Sequence, residues 1–287
     1  MDVLRVVKRG LTRAPKFAAI AHGYHANPDL DVHDRGGRII PNLVFTNFYL
    51  GGSASWKAAD IAAIDGALAG AMSDTHLNNV MVQYFRGDQI TSEFRPSRIL
   101  PGAPPKHLYE KNLESRIKKM YTAGDLKGYP LPSTVFVFLA PLGTILHLGD
   151  DSSLEGMAGF HSAVPIGKKR IYYAVAAFSK GKNGIAIFKQ PWKNVVATLY
   201  HELNEARTDP DVYDAGKTGN DSYLGWTNDE LPGEEIGDVP IIGKNLKSVI
   251  REVALAHGGG TVPIQLMWSN YVHGPEGPVA QPRPVTT

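Results

Sequence analysis

The chain has no cysteine among its 287 residues. That excludes disulfides, a thiolate nucleophile and thiolate metal ligands, so any metal must be held by imidazole, carboxylate or carbonyl groups. No apolar run is long enough to span a bilayer as a helix, so no membrane span is expected. Neither sign of charge dominates, with 30 Lys and Arg facing 28 Asp and Glu. No dense basic run stands out, which argues against a nucleic-acid partner. The Gly-x-Ser-x-Gly elbow and the Walker loop are missing, which removes two common catalytic frameworks. Gly258-Gly-Gly260 follows a helical pattern and does not read as a phosphate cradle. Residues 1–10 scatter charges among their apolar side chains and do not form the continuous core of a signal peptide.

The apolar fraction is that of a soluble globular protein. Residues 42–50, 133–140 and 171–178 are β-rich and apolar on both faces, the pattern of buried strands. Residues 184–188 read as a short fourth strand and 263–270 as a final one. Amphipathic helices are expected over 56–72, 76–85, 106–121 and 246–253, the last stopped by the three glycines. Residues 86–106 are rich in Arg and Pro and look irregular at the end, 143–153 turn-rich, and 209–242 a long acidic loop. Strands and helices mix without a regular alternation. The expected fold is therefore one α/β or α+β domain over 41–272, a mixed sheet flanked by helices. An N-terminal arm (1–40) and a Pro-rich C-terminal tail (273–287) flank it, and such arms favour self-assembly. His22, His25 and His33 fall in the N-terminal arm at no regular spacing, which fits an exposed leader better than a metal site.

The chemistry concentrates in Val195-Val-Ala-Thr-Leu-Tyr-His-Glu-Leu-Asn-Glu-Ala-Arg-Thr-Asp-Pro-Asp211. As a helix, this stretch puts Val195, Val196, Leu199, Tyr200, Leu203 and Ala206 on one face and His201, Glu202 and Glu205 on the other. His201 and Glu205 are four apart and can grip one ion. The layout is that of a zincin helix whose second His has become Glu, and a zincin-like domain follows from it. The same residues also describe an ordinary solvated polar face. A catalytic zinc keeps three protein ligands and one open position. Glu235, Asp238 and His161 are the candidates for the third ligand, with Glu202 as general base. Zn2+ suits a site that includes His. Ca2+ is the alternative, because Asp209, Asp211, Asp214, Asp221 and Asp229 crowd the acidic loop with hard oxygen ligands.

The ordered set Gly-Phe-His-Ser (159–162), His-Glu-Leu-x-Glu-Ala-x-Thr-Asp-Pro (201–210), Gly-Trp (225–226), Glu-Ile-Gly-Asp (235–238) and Trp-Ser-Asn (268–270) resembles the exordium or phosphate-induced protein family, especially its bacterial members. The resemblance covers about 40–272. It implies a metallopeptidase-like site at His201, Glu202 and Glu205, with Glu235 and Asp238 downstream, and an extracellular location. The family's members usually carry Cys near the Gly-Phe-His motif and after Glu-Ile-Gly-Asp. Here both are absent together, which implies loss of a staple and not of the site. Two functions are therefore expected to compete. One is a metal-dependent, peptidase-like hydrolase. The other is a non-catalytic extracellular or assembly-forming protein in which the same residues hold a structural ion. An open position in a groove favours the first, and a closed shell the second.

Overall fold

Three apolar segments, each too hydrophobic on both faces to lie at a surface, form the middle of a five-stranded sheet. In the computed structural model, which describes residues 20–285 apart from 88, 230, 232–233 and 243–244, these strands are Asn42–Tyr49, Thr134–Leu139 and Lys169–Ala176. Thr91–Ile99 lies outside the first of them and Gly159–Ile166 outside the last. Four strands run parallel, and Gly159–Ile166 is antiparallel to Lys169–Ala176. A two-residue turn, with Gly167 at φ +61°, joins that last pair. Its register places His161 opposite Ala174.

Side chains of the sheet alternate between two cores. On one face Phe45, Tyr49, Val137, Leu139 and Ala174 pack with Ile64 and Leu68 of helix Ala58–Ser73 and with Val195, Leu199 and Leu203 of helix Pro191–Thr208. On the other, Phe48, Phe136, Phe138 and Tyr173 pack with Leu113, Ile117 and Met120 of helix Glu110–Ala123. Each such leucine or phenylalanine contributes about 1.5–3 kcal/mol by leaving water. The expected mixed sheet flanked by helices is the observed architecture, with the motif helix Pro191–Thr208 packed against strands Thr134–Leu139, Gly159–Ile166 and Lys169–Ala176. Among the described residues no helix is long and apolar enough to cross a membrane.

Several local expectations are corrected. The end of the 86–106 stretch is irregular as expected, but Thr91–Ile99 within it is an unforeseen edge strand. Its polar alternation and Pro96 hid it; a proline is tolerated there because an edge strand needs only one side paired, and the register shifts beside it. The helix expected through residue 253 is a single turn, Leu246–Val249. The chain then enters strand Ile250–Ala254, which pairs with Thr261–Gln265 around the three glycines. Residues 184–188 form no strand, and 263–270 is broken at Leu266 into two short strands. The turn-rich segment contains two short strands, Ile145–Leu148 and Asp151–Ser152. The acidic loop contains helix Val212–Thr218, strand Trp226–Asn228 and the single turn Asp238–Ile241.

The described parts of both terminal stretches are tied to the domain. Ala21 N–H donates to Pro275 O at 3.0 Å, and Asn27 N–H to His273 O at 2.8 Å. Val32–Asp34 pairs with Trp226–Asn228. In the tail, Val279 and Arg283 donate from their backbone to His76 and Asn79. Residues 1–19, including the stretch weighed as a leader peptide, lie outside the described residues, as do 286–287.

Candidate metal centre

Helix Pro191–Thr208 opens on a proline at its first position, where the missing N–H costs nothing, and ends at Asp209 before Pro210. The polar face of this helix is not solvated. His201 is 7 % exposed, Glu202 5 % and Glu205 2 %. The face is covered by the edge strand Gly159–Ile166 and the returning segment 235–238, with helix Val212–Thr218 lining the cleft in front of it. Burying ionisable groups is costly unless they are paired, so the face must be satisfied by what it meets.

It meets two groups, sharing Glu205. In the first, His201 Nε2 lies 2.8 Å from Glu205 Oε2 and 3.4 Å from Asp238 Oδ1. In the second, His161 Nδ1 lies 3.6 Å from Glu202 Oε2 and 3.8 Å from Glu205 Oε2. The candidate ligand atoms of each group all fall within 4.8 Å of one another. Glu235 reaches the opposite side of the His161 ring, its Oε2 3.7 Å from Nε2. The structure thus brings His201, Glu205 and Asp238 together and sets Glu235 beside His161. Both Glu202 and His161 line the cleft.

Each motif segment supplies one wall, and its glycines are there for closeness. Asp209 donates its N–H to Glu205 O at 2.7 Å, and its carbonyl accepts from His161 Nε2 at 3.1 Å. Its Oδ1 accepts the Gly225 N–H at 2.9 Å, where a β-carbon on Gly225 would sit 1.9 Å from Thr208 O. Gly237 donates its N–H to Glu205 Oε1 at 3.0 Å. A β-carbon on Gly159 would lie 2.4 Å from Val175 O and 3.0 Å from Glu202 Oε1. The 235–238 segment is held in turn by Trp268 N–H, which donates to Ile236 O at 2.7 Å, and by the Gln265 amide, which donates to Gly237 O. Below the site, the guanidinium of Arg207 is fully buried, donates to the carbonyls of Ile40, Pro41 and Thr91, and lies over the Phe85 ring.

Crowded carboxylates in low dielectric raise one another's pKa. Burial and the Asp238 charge push Glu205 up to about 7, against the opposing pull of His201. Burial, then Glu205 and Asp209, holds Glu235 well above the usual carboxylate range. Burial lifts Asp209 to about 6. Burial would lower both imidazoles, yet the surrounding carboxylates win. Glu205 and Asp238 hold His201 well above its ordinary value, and Glu202 and Glu205 raise His161. Burial would raise Asp238, but its bond with His201 brings it down.

The residues fit a cation. Among the described residues no Lys or Arg forms an ion pair with Glu202, Glu205, Asp209, Glu235 or Asp238. Two buried oxygens, Glu235 Oε1 and Asp209 Oδ2, have no hydrogen-bond partner. The donors are imidazole nitrogen and carboxylate oxygen, the set that divalent metals take. A cleft of about 640 Å3 reaches the centre from solvent and is lined by His161, His201, Glu202, Glu205, Glu235 and Asp238, among others.

Three of the other acidic residues of 209–242 are engaged by partners of their own. Asp211 accepts from Tyr172 Oη, Asp214 is bound by Arg170, and Asp229 pairs with Arg35 and His33. The calcium loop suggested by their density does not form among the described residues. His22 and His25 are exposed. Sequence reasoning missed the inward turn of Asp209, although the proline after it marks the end of the helix.

No family model matches the chain, and no curated protein matches it. Among solved structures, metalloproteinase-II from Bacteroides fragilis is similar over 61% of this chain and 46% of that one, with 12% sequence identity and a TM-score of 0.32. The chain spans about half the length of that protein.

Proposed function

We propose that the protein is a metal-dependent hydrolase of peptidase type, related to the exordium family it resembles. The observation that carries this reading is the convergence of His201 Nε2, Glu205 Oε2 and Asp238 Oδ1 at the floor of an open cleft. His201, Glu205 and Asp238 would hold a divalent ion, with Glu235 adjoining. Zn2+ suits the imidazole donor, and Ca2+ would want more oxygens. When bound, the ion supplies Lewis acidity to the acyl group of a substrate.

The chain's own residues do the rest. Glu202 lines the cleft beside His201 on the same helix, and its carboxylate forms no hydrogen bond of ordinary length among the described residues; its Oε2 lies 3.6 Å from His161 Nδ1. Glu202 accepts a proton from the attacking water as the water oxygen bonds to the acyl carbon. It then delivers that proton to the leaving nitrogen as the amide bond breaks.

The accessible cleft favours this reading over a structural ion, whose shell would be closed. The test is hydrolysis of a peptide library by the purified protein, after chelation and after restoring Zn2+ or Ca2+. Turnover that disappears with the metal and returns with it supports the hydrolase. Full metal occupancy with no turnover of any peptide or ester would leave the structural role.

A further inference from the structure

We propose that the centre has two cation positions sharing Glu205, and that occupancy of the second, formed by His161, Glu202 and Glu205, switches the hydrolase off. This rests on the reading of Glu202 as the base.

The first observation is the state of the His161 ring. Its Nε2 is 3.1 Å from the carbonyl oxygen of Asp209, and a carbonyl can only accept. Nε2 therefore carries the hydrogen, and in the neutral ring Nδ1 is a lone pair. A metal-binding histidine is fixed in this way, its far nitrogen donating to a backbone carbonyl. Nδ1 faces Glu202 Oε2 at 3.6 Å and Glu205 Oε2 at 3.8 Å. A proton shared between a charged ring and a carboxylate draws the heavy atoms to about 2.7–2.9 Å. The observed gaps are wider. They are close to the roughly 3.4 Å that separates ligand atoms around an ion bound tetrahedrally at about 2.0–2.2 Å.

The second observation is independent of that ring. Glu202 is 5 % exposed and its carboxylate makes no hydrogen bond of ordinary length to any described residue. Glu235, 6 % exposed, keeps Oε1 buried and unpartnered on the other side of His161. The shared atom is Glu205 Oε2, which belongs to both groups. Carboxylate bridges of this kind hold paired ions in two-metal sites.

The functional consequence follows from Glu202. A carboxylate holding a cation has lost the lone pair with which it would take a proton. The centre is therefore productive when only its His201 position is filled, and blocked when the His161 position is filled as well. Metal supply becomes the regulator of the site.

Chelated protein titrated with Zn2+ in a calorimeter tests this. Two ions per chain with unequal affinities are expected, with peptide hydrolysis rising over the first equivalent and falling at least tenfold over the second. Mn2+ in the same protein should give an exchange-coupled pair signal in electron paramagnetic resonance. His161→Gln, checked for folding by its thermal melt, should bind one ion and give only the uncoupled Mn2+ signal. If this variant does not fold, the wild-type stoichiometry and the coupled signal decide alone. One ion per chain at saturation, or two in folded His161→Gln, overturns the second position while leaving the hydrolase intact. Two ions with no fall in hydrolysis overturns the switch. No bound ion at all overturns the proposed function as well.

Discussion

Gly237 lies against His201 so closely that a β-carbon on it would sit 2.7 Å from the imidazole Nδ1 and 2.8 Å from Glu205 Oε1. The segment that brings Asp238 to the centre can approach only because residue 237 has no side chain. Gly237→Ala must push the imidazole or the carboxylate aside. Metal affinity should fall about ten- to a hundredfold, the usual loss when the groups around a metal ligand are disturbed. Gly216→Ala is the control. It lies in helix Val212–Thr218, where a β-carbon would meet nothing within 4 Å, and should gain about 0.5–1 kcal/mol in stability. Equal metal affinity in wild type and Gly237→Ala, by titration with a chromophoric chelator, would contradict the geometry.

Glu202 and His201 should fail in different ways. Glu202→Gln keeps size but removes the basic oxygen, so the first ion and the fold should survive while hydrolysis falls roughly 10²–10⁴-fold. His201→Ala should lose the first ion itself. Elemental analysis beside the rate measurement separates the two. A fully active Glu202→Gln would remove the base.

The pH dependence of the metal-free protein has a definite sign. Glu205 is raised to about 7 and Asp209 to about 6, both above their values in the unfolded chain. The folded state therefore holds more protons than the unfolded state between the two sets of values. Stability contributed by these groups is present at low pH and is lost as pH rises through about 6 to 7. Metal binding needs the carboxylates unprotonated, so affinity should tighten over the same window and binding should release protons. Melting curves of chelated and metal-loaded protein from pH 5 to 8 should diverge as pH rises. Parallel curves would show that these carboxylates do not titrate in that range.

Arg207 supports the site helix from below. Its guanidinium is a buried cation that donates only to carbonyls, with Pro41 O at 2.7 Å and Thr91 O at 3.2 Å, while Nη1 has no partner among the described residues, and burial pulls its pKa down to about 10. Arg207→Met keeps apolar bulk but leaves those carbonyls unpaired. The loss should be about 2–4 kcal/mol, because several charge-assisted bonds disappear together. Denaturant melts measure it, and a change below about 0.5 kcal/mol would mean that the carbonyls find other donors.

A great deal of the site was legible in the chain. The helical period alone sets His201, Glu202 and Glu205 on one face, since side chains three and four apart stack wherever a helix forms. The doubly apolar segments read at 42–50, 133–140 and 171–178 had nowhere to go but the middle of a sheet. Local patterns did not show Thr91–Ile99, whose polar residues reflect an edge position, or Ile250–Ala254, whose apolar residues fit a short hairpin as well as a helix. A sequence period gives the direction of a side chain on its own element and says nothing of what packs over it.

Only the tertiary structure decided that the polar face of the site helix is buried, and what it meets. His161 reaches Glu202 because the antiparallel register of the edge strand places it opposite Ala174 and over the helix. Asp209 turns inward because Gly225 comes close enough to donate to it, and Asp238 reaches His201 because Trp268 and Gln265 hold the 235–238 segment. These contacts join residues from separate elements, far apart along the chain, and depend on burial that excludes water from all of them at once. The chain by itself determined which groups are available for metal chemistry. Packing determined which of them share an ion.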